Sequence, residues 1–555
     1  MTLSQDLLPA LPPLWQLALL GGAAYAATTW YGAARRRARA TPLAGPLRPS
    51  WLFGVTKQVL NNPDAPAIYE GWVEEYGAVF VAPAPLGATR VVLTDPKAVA
   101  HFYAAETWTY VQTKLARVAI EGLFGRGLLW AEGESHKRQR KAISPAFSNV
   151  AIKRMTAIFY DSVYKLKTAW DNQLAGADAA VIDVEAWMNH VSLDSIGIAG
   201  FSHDFRSLDG QRSDIAEVFD AMGRVKPSVL SALVIFFGNV FPVLWKLPTE
   251  MRRLQRKMNR SMEQIAVVLL ENTRRELRGL GETGKEEKSI IGLLIKAEDQ
   301  EASLPMSQEE IMAQALLILA GYETTSISLT WALIELCRKP EMQARLRDEL
   351  RAQFPNSDPS WDQLMNGAGL HYLDAVVHEI LRLHAPLAVT NRVAAKDDVI
   401  PLSQPIRTKH GELVDAIAIC AGQEVGIPIG YMNTALALWG PDAREFKPER
   451  WLLPGDGAKG GEKEQEHAGL PRRAQEIQGH RHLLTFVDGQ RMCLGRGFAL
   501  AEFKAVLGVL IKNYTFELRD GPETEIAHCR GVLPRPQVKG EVGACVPMRV
   551  RRVDA

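Results

Sequence analysis

Cysteine is scarce in this chain: five in 555 residues, at positions 337, 420, 493, 529 and 545, with no Cys-x-x-Cys pair. An odd, scattered set argues against a disulfide framework and for reduced thiols in a reducing compartment. Net charge is nearly absent too. Lys and Arg number 64 against 63 Asp and Glu, leaving +1 and no reason to expect a nucleic-acid partner. No internal repeat is visible. What is present, 47% hydrophobic and 23% charged residues, describes an ordered globular protein. Length alone suggests two or three domains.

Residues 14–34 carry no charge. As a helix they span roughly 31 Å, the thickness of a bilayer core. Trp15 lies near one end and Trp30 and Tyr31 near the other, as interfacial aromatics should. Arg35, Arg36, Arg37 and Arg39 follow, so the downstream chain is expected in the cytosol. A cleaved signal peptide would have a positive start, which Met-Thr-Leu-Ser-Gln-Asp lacks. A buried core helix is the other alternative, disfavoured by the Arg cluster. Residues 1–34 are therefore expected to be a membrane anchor. Residues 35–50, with Pro42, Pro46 and Pro49, are expected to be a stiff linker, and 51–555 the catalytic unit.

A helical run at 70–76 leads to alternating apolar segments at 79–81 and 90–93, read as strands of a small sheet. Beyond Thr94 the pattern is mainly helical. The apolar stretch 227–247, with Phe236, Phe237, Phe241 and Trp245, fits a core segment and a lipid-dipping surface equally well. Residues 455–478, rich in Gly, Glu, Lys and Arg, read as a solvated loop.

The most informative stretch is Phe486-Val-Asp-Gly-Gln-Arg-Met-Cys-Leu-Gly495, a Gly-punctuated loop before an apolar helical pattern. Gly489 and Gly495 allow backbone geometries and close approaches that a side chain would block. Such a turn can aim backbone N–H groups at the Cys493 sulfur, and the helix start adds a positive dipole, both favouring thiolate. A lone thiolate with no second ligand at zinc spacing suits haem iron better than tetrahedral zinc. Phe486 could shield the sulfur, and Arg491 could pair with a haem propionate. The plain alternative is a reduced structural cysteine. The stretch resembles the haem-ligand signature Phe-x-x-Gly-x-Arg-x-Cys-x-Gly of the cytochrome P450 family, and Ala499 extends the match.

Three further segments fit the same resemblance in the same order. Gly133-Glu-Ser-His-Lys-Arg-Gln-Arg-Lys141 puts His136 and Arg140 on one helical face. The family usually has Trp-x-x-x-Arg here, touching the propionates, so His136 stands where Trp is usual. Lys137, Arg138 and Lys141 are a solvated basic face or a docking surface. A helix is expected from Ser307, with Glu310 completing a capping box, to just before Pro340. Its middle, Ala320-Gly-Tyr-Glu-Thr-Thr325, sets an acid and two threonines in an apolar run, which is costly without a task. Gly321 leaves space for a ligand, and a Thr hydroxyl can take over backbone hydrogen bonds and open the helix. The string resembles the family's oxygen-activating pattern, making Glu323 and Thr324 the acid–alcohol pair. Glu379 and Arg382 share a helical face and match the family's Glu-x-x-Arg, with Arg450 of Pro-Glu-Arg as a third, structural member. Arg392 matches another propionate-contacting position.

The resemblance implies a single, mostly α domain with a small β region, behind one transmembrane helix in the endoplasmic reticulum membrane, of fungal type. It also implies a monooxygenase with haem b at Cys493, acting on O2 and a lipophilic small molecule such as a terpenoid, fatty acid or aromatic. Electrons would come from NADPH through cytochrome P450 reductase, with cytochrome b5 as a further donor. Thr324 would hold a water at the oxygen site while Glu323 relays protons inward. Wall positions by match are Ile318, Ala320, Ala388, Val389 and Val532. A haem-thiolate isomerase or dehydratase needs no electrons and has less use for Glu323-Thr324; a non-enzymatic haem-binding membrane protein has none. Gly495-Arg-Gly-Phe-Ala-Leu500 lacks the last small residue of a dinucleotide-binding turn.

Overall fold

The structure is a computed structural model. It describes residues 39–60, 62, 64–211, 247–277, 289–292, 307–319, 321–367, 369–452, 469–529 and 531–553, with isolated positions within 21–32 and 217–244. Most of the expected anchor and of the 227–247 stretch lies outside the described residues, as does Ala320.

The chain enters along a sheet. Within the stretch expected as a linker, Thr41 donates its N–H to the Ala418 carbonyl and the Ala44 carbonyl accepts from Val81. Arg48 donates to the carbonyls of Ala84, Gly87 and Ala88. Helix α1 (Ala65–Tyr76) starts earlier than its apolar pattern because Asp64 accepts from the Ala67 N–H and proline occupies the first turn. Strands β1 (Val79–Pro83) and β2 (Thr89–Leu93) pair antiparallel, Phe80 opposite Val92. Next come α2 (Pro96–Ala104), β3 (Tyr110–Gln112), α3 (Lys114–Phe124), α4 (Gly133–Ile143) and α5 (Asn149–Gln173). After β4 (Ala180–Asp183) follow α6 (Val184–Phe201) and α7 (Glu250–Leu277).

The central helix is described as α8 (Gln308–Leu319) and α9 (Gly321–Arg338). Its capping box is present: Glu310 donates its N–H to Ser307 Oγ, and Ser307 N–H reaches Glu310 Oε2. Residues 309–338 are long and apolar enough to cross a membrane, yet 81% of the most apolar window is buried in protein, so this is a core helix. α9 packs on α6.

Past α10 (Pro340–Gln353) and α11 (His371–Leu383), strands β5 (Thr390–Ala394), β6 (Asp398–Arg407), β7 (Leu413–Ile419) and β8 (Glu424–Ile427) appear. Strand order β1-β2-β8-β5-β3 forms a five-stranded sheet in which β2 and β8 run parallel and the other pairs antiparallel. Finally α12 (Arg496–Asn513) packs on α5, followed by β9 (Tyr514–Leu518), β10 (Ile526–Cys529), β11 (Arg535–Val538) and β12 (Pro547–Arg552). β10 and β11 form a hairpin, and β12 lies between β4 and β9. The architecture is mostly α with small sheets, as expected. One reading needs correction. Residues 455–478 are not solvated throughout, because Leu470, Ala474 and Ile477 are buried apolar anchors.

Candidate active site

The cysteine loop is fixed by its own backbone. Val487 donates its N–H to Leu484 O, and Cys493 donates to Phe486 O at 2.9 Å, drawing the ends of the turn together. Gly489 has φ +66, and a Cβ there would lie 2.2 Å from the Tyr103 carbonyl oxygen, so only glycine fits. Gly495 differs from its expectation. Its φ is −82, and an added Cβ would meet nothing closer than Phe147 at 3.9 Å, so the fold alone does not demand glycine. Gly495 instead caps α12 and presents its N–H to the Cys493 sulfur.

Cys493 is the one exposed cysteine of the five. The Gly495 N–H and the charges of Arg140 and Arg496 pull its thiol down, but desolvation by the surrounding protein outweighs them and pushes it up. The groups expected to favour the thiolate are in place, and a metal that takes the sulfur would complete the deprotonation, because a coordinating thiol is deprotonated.

Cations gather beside the loop. Arg491 donates to the Ala131 carbonyl and pairs with Glu132. Arg392 on β5 pairs with the buried Glu106 at 2.8 Å. Burial raises the Glu106 carboxyl, against the pull of Arg392 and Arg491. On α4, Arg140 donates to the Met492 carbonyl at 2.6 Å, placing its charge at the cysteine loop. His136, one turn earlier, is buried; desolvation, then Arg491 and Arg140, push its imidazole down to about 4. It is neutral at physiological pH. Arg138 is not part of a free docking face, since it pairs with Glu310 at the start of α8; Lys137 and Lys141 are exposed.

On α9, Thr324 is half-buried while Thr325 is buried. The Thr324 hydroxyl donates to the Gly321 carbonyl at 3.0 Å, the local exchange that a mid-helix Thr permits. A Cβ on Gly321 would meet nothing within 4 Å, so space is open there. Glu323 is buried and turned onto β11, where its Oε1 accepts from Arg535 Nε at 2.9 Å. Of the expected wall positions, Ile318 is core, packed toward Gly200 of α6. Ala388 is exposed, and Val389 and Val532 are partly buried.

Beneath the loop, Arg382 donates to both Glu379 oxygens and to the Asn433 carbonyl. Arg450 and Trp451 also donate to Glu379. Asn433 then accepts from Leu484 N–H and donates to Thr485, which ties this buried set to the strand of chain entering the cysteine loop.

The site suits an iron porphyrin. Arg491 Nε and Arg392 Nε are buried donors with no hydrogen-bond partner among the described residues, as carboxylate-binding groups would be. Among the described residues no group of three or more His, Cys, Asp or Glu side chains forms a metal cluster, and Cys493 would hold the iron through its sulfur. Sequence reading missed Glu106, Glu132 and Arg535, whose partners lie hundreds of residues away. It also missed Gln490, which accepts from Trp108 Nε1 and Thr107 Oγ1. Thr107 has φ +69, a strained geometry for a β-branched residue and a local mark of a constrained site that sequence does not carry.

Comparison with known proteins agrees with this geometry. Residues 44–542 match the profile of the family described as Cytochrome P450. The chain is 58% identical over 524 residues to the cytochrome P450 monooxygenase claP of Ampulloclitocybe clavipes, covering 94% of each chain. It is 32% identical to cytochrome P450 monooxygenase 128 of Postia placenta, covering 92% of each. Ganoderic acid synthetase of Ganoderma lucidum is 32% identical, over 80% of this chain and 83% of that one. With a family profile matched over residues 44–542 and relatives of this kind matched over 94% of each chain, the chain belongs to the cytochrome P450 monooxygenase family.

Proposed function

We propose that this enzyme inserts one oxygen atom of O2 into a lipophilic small molecule of secondary metabolism, such as a terpenoid, fatty acid or aromatic. NADPH supplies the electrons through a separate reductase, with cytochrome b5 as a second donor: substrate + O2 + two electrons + two protons gives hydroxylated substrate and water. The relative named for ganoderic acid synthesis supports a small-molecule substrate of this kind.

Cys493 would hold haem b by its sulfur, with Arg491, Arg392, His136 and Arg140 around its carboxylates and Phe486 beside the sulfur. Bound there, the haem supplies the activation of dioxygen. The chain's own work is binding, orientation and proton supply. The observation that carries the reading is Thr324, which stands half-buried beside the open space at Gly321 with its hydroxyl already exchanging with the helix backbone. From there it would hold a water at the oxygen site. Glu323, the adjacent acid, would relay protons to it. The trio Glu379, Arg382 and Arg450 is structural.

We further propose that residues 1–34 anchor the protein in the endoplasmic reticulum membrane, with the catalytic body in the cytosol. Deleting them is expected to move the protein largely to the soluble fraction with haem retained, and unchanged membrane association would count against the anchor. The reaction itself is tested by feeding a panel of terpenoids, fatty acids and aromatics to cells that co-express the protein with a reductase. An oxygenated product carrying one label from 18O2 is expected for at least one compound class. Products that form without NADPH or without label would point to an isomerase or dehydratase.

A further inference from the structure

Glu323 does not face the Thr324 side of α9. Arg535, the first residue of β11, holds its Oε1 at 2.9 Å, and the same guanidinium lies 3.7 Å from Glu185 Oε1 in the first turn of α6. All three side chains are buried. The contacts continue through neighbouring side chains: Asn189 donates to Glu185 Oε1 at 2.6 Å and accepts from Ser326 Oγ at 2.8 Å, and Ser326 Oγ lies 3.0 Å from the Glu323 carbonyl oxygen. Among the described residues, two carboxylates share one guanidinium in a buried site. Such a group persists only when geometry and hydrogen bonds offset the loss of water.

The hairpin that carries Arg535 is docked along α9. His528 of β10 lies against Trp331, ring centroids 5.8 Å apart, and Arg338 donates to the Thr524 carbonyl. At the other end, an added Cβ on Gly531 would lie 3.8 Å from Glu323 Oε1. The hairpin turn therefore sits directly on the carboxylate, and it also carries Val532 and Leu533, both partly buried against the core. Thr324 follows Glu323 by one residue, about 100° around the helix. The Arg535 contact fixes where the carboxylate rests, and without it the buried side chain has no defined position from which to pass a proton toward Thr324.

We propose that Arg535 is a positioning residue for proton delivery: it sets the resting place of the Glu323 carboxylate and so governs how readily protons reach the oxygen site beside Thr324. This rests on the reading of Glu323 as the relay acid. Proton supply decides how consumed O2 is divided. Two electrons and two protons give H2O2, at one NADPH per O2; four of each give two H2O, at two NADPH per O2.

That division can be measured with NADPH, O2 and excess reductase as the only reactants, using haem-loaded full-length protein. The reduced carbon monoxide spectrum serves as the check on folding. The ratio of peroxide to water formed is expected to rise about tenfold in Arg535→Gln, below the full range for losing an acid–base group. Glu323→Gln should rise at least as far, and the double variant no further than Glu323→Gln alone. Arg535→Lys, which keeps the charge, should lie nearer wild type. If Arg535→Gln fails to load haem, Arg535→Gln/Glu185→Gln removes one charge of each sign and should show the same rise. A wild-type ratio in the Arg535 variants with a raised ratio in Glu323→Gln overturns the positioning role alone. A wild-type ratio in all of them overturns the relay role of Glu323 as well.

Discussion

Arg382 grips Glu379 through two hydrogen bonds, Nε to Oε2 at 2.8 Å and Nη2 to Oε1 at 2.7 Å, with neither side chain exposed to solvent. On an exposed helix such a pair would contribute little. Here the guanidinium also reaches the Asn433, Ala443 and Glu445 carbonyls, and the carboxylate also accepts from Arg450, Trp451 and the Lys447 N–H. Removing one partner strands a buried charge, which costs about 3–5 kcal/mol. Arg382→Ala is expected to lower the unfolding midpoint in urea accordingly and to cut the yield of haem-loaded protein. A midpoint within error of wild type would remove the trio from the scaffold.

Gly489 and Gly495 make a paired comparison on one loop. Gly489→Ala must abandon a left-handed φ or push back the Tyr103 carbonyl, a cost of about 1–3 kcal/mol. Gly495→Ala meets only ordinary contacts within the protein. Thermal unfolding of the haem-free variants should therefore show a clear drop for position 489 and little for 495. The reverse order would contradict the loop geometry.

Glu502, on the buried face of α12, has the Ser192 and Ser195 hydroxyls beside it, and burial raises its carboxyl to about 8. A carboxyl raised on folding binds its proton more tightly in the folded state. Its stabilising proton uptake is complete below the ordinary value of 4.5 and is lost as pH climbs to about 8. Each unit in that window is worth up to about 1.4 kcal/mol. Stability measured by denaturant unfolding should fall from pH 5.5 to 8, and Glu502→Gln should flatten that slope. An unaltered slope in the variant would assign the pH dependence elsewhere.

Thr324 and Thr325 are neighbours with different surroundings, one half-buried at open space and the other buried. With a compound that wild type oxidises, Thr324→Ala should still consume NADPH while product per NADPH drops about 10–1000-fold, near the range of acid–base contributions. Thr325→Ala should drop less. Equal coupling in Thr324→Ala and wild type, with peroxide and product measured together, would refute the role given to Thr324.

How legible the site was depended on how local its chemistry is. Cys493, Gly489 and Arg491 fall within eight consecutive residues, and Ser307 with Glu310 within four, so spacing alone exposes them. Arg392 and Glu106, or Glu323 and Arg535, meet only after folding, 286 and 212 residues apart, and a buried acid leaves no local trace of its future partner. Thr107 is harder still, because nothing in its neighbours announces a left-handed φ. Composition misled at 455–478, where a polar run hides the apolar anchors Leu470, Ala474 and Ile477. The helical and strand assignments around the sheet fared better, since Val79–Pro83 and Thr89–Leu93 follow a clear apolar alternation.

The central claim is that Cys493 alone among the five cysteines ligates the haem iron, and the reduced carbon monoxide spectrum of purified full-length protein tests it most directly. Cys337→Ala, Cys420→Ala, Cys529→Ala and Cys545→Ala are expected to keep the thiolate-type Soret band, and Cys493→Ala to lose it. A Cys493→Ala protein with the wild-type band would contradict the account at its base.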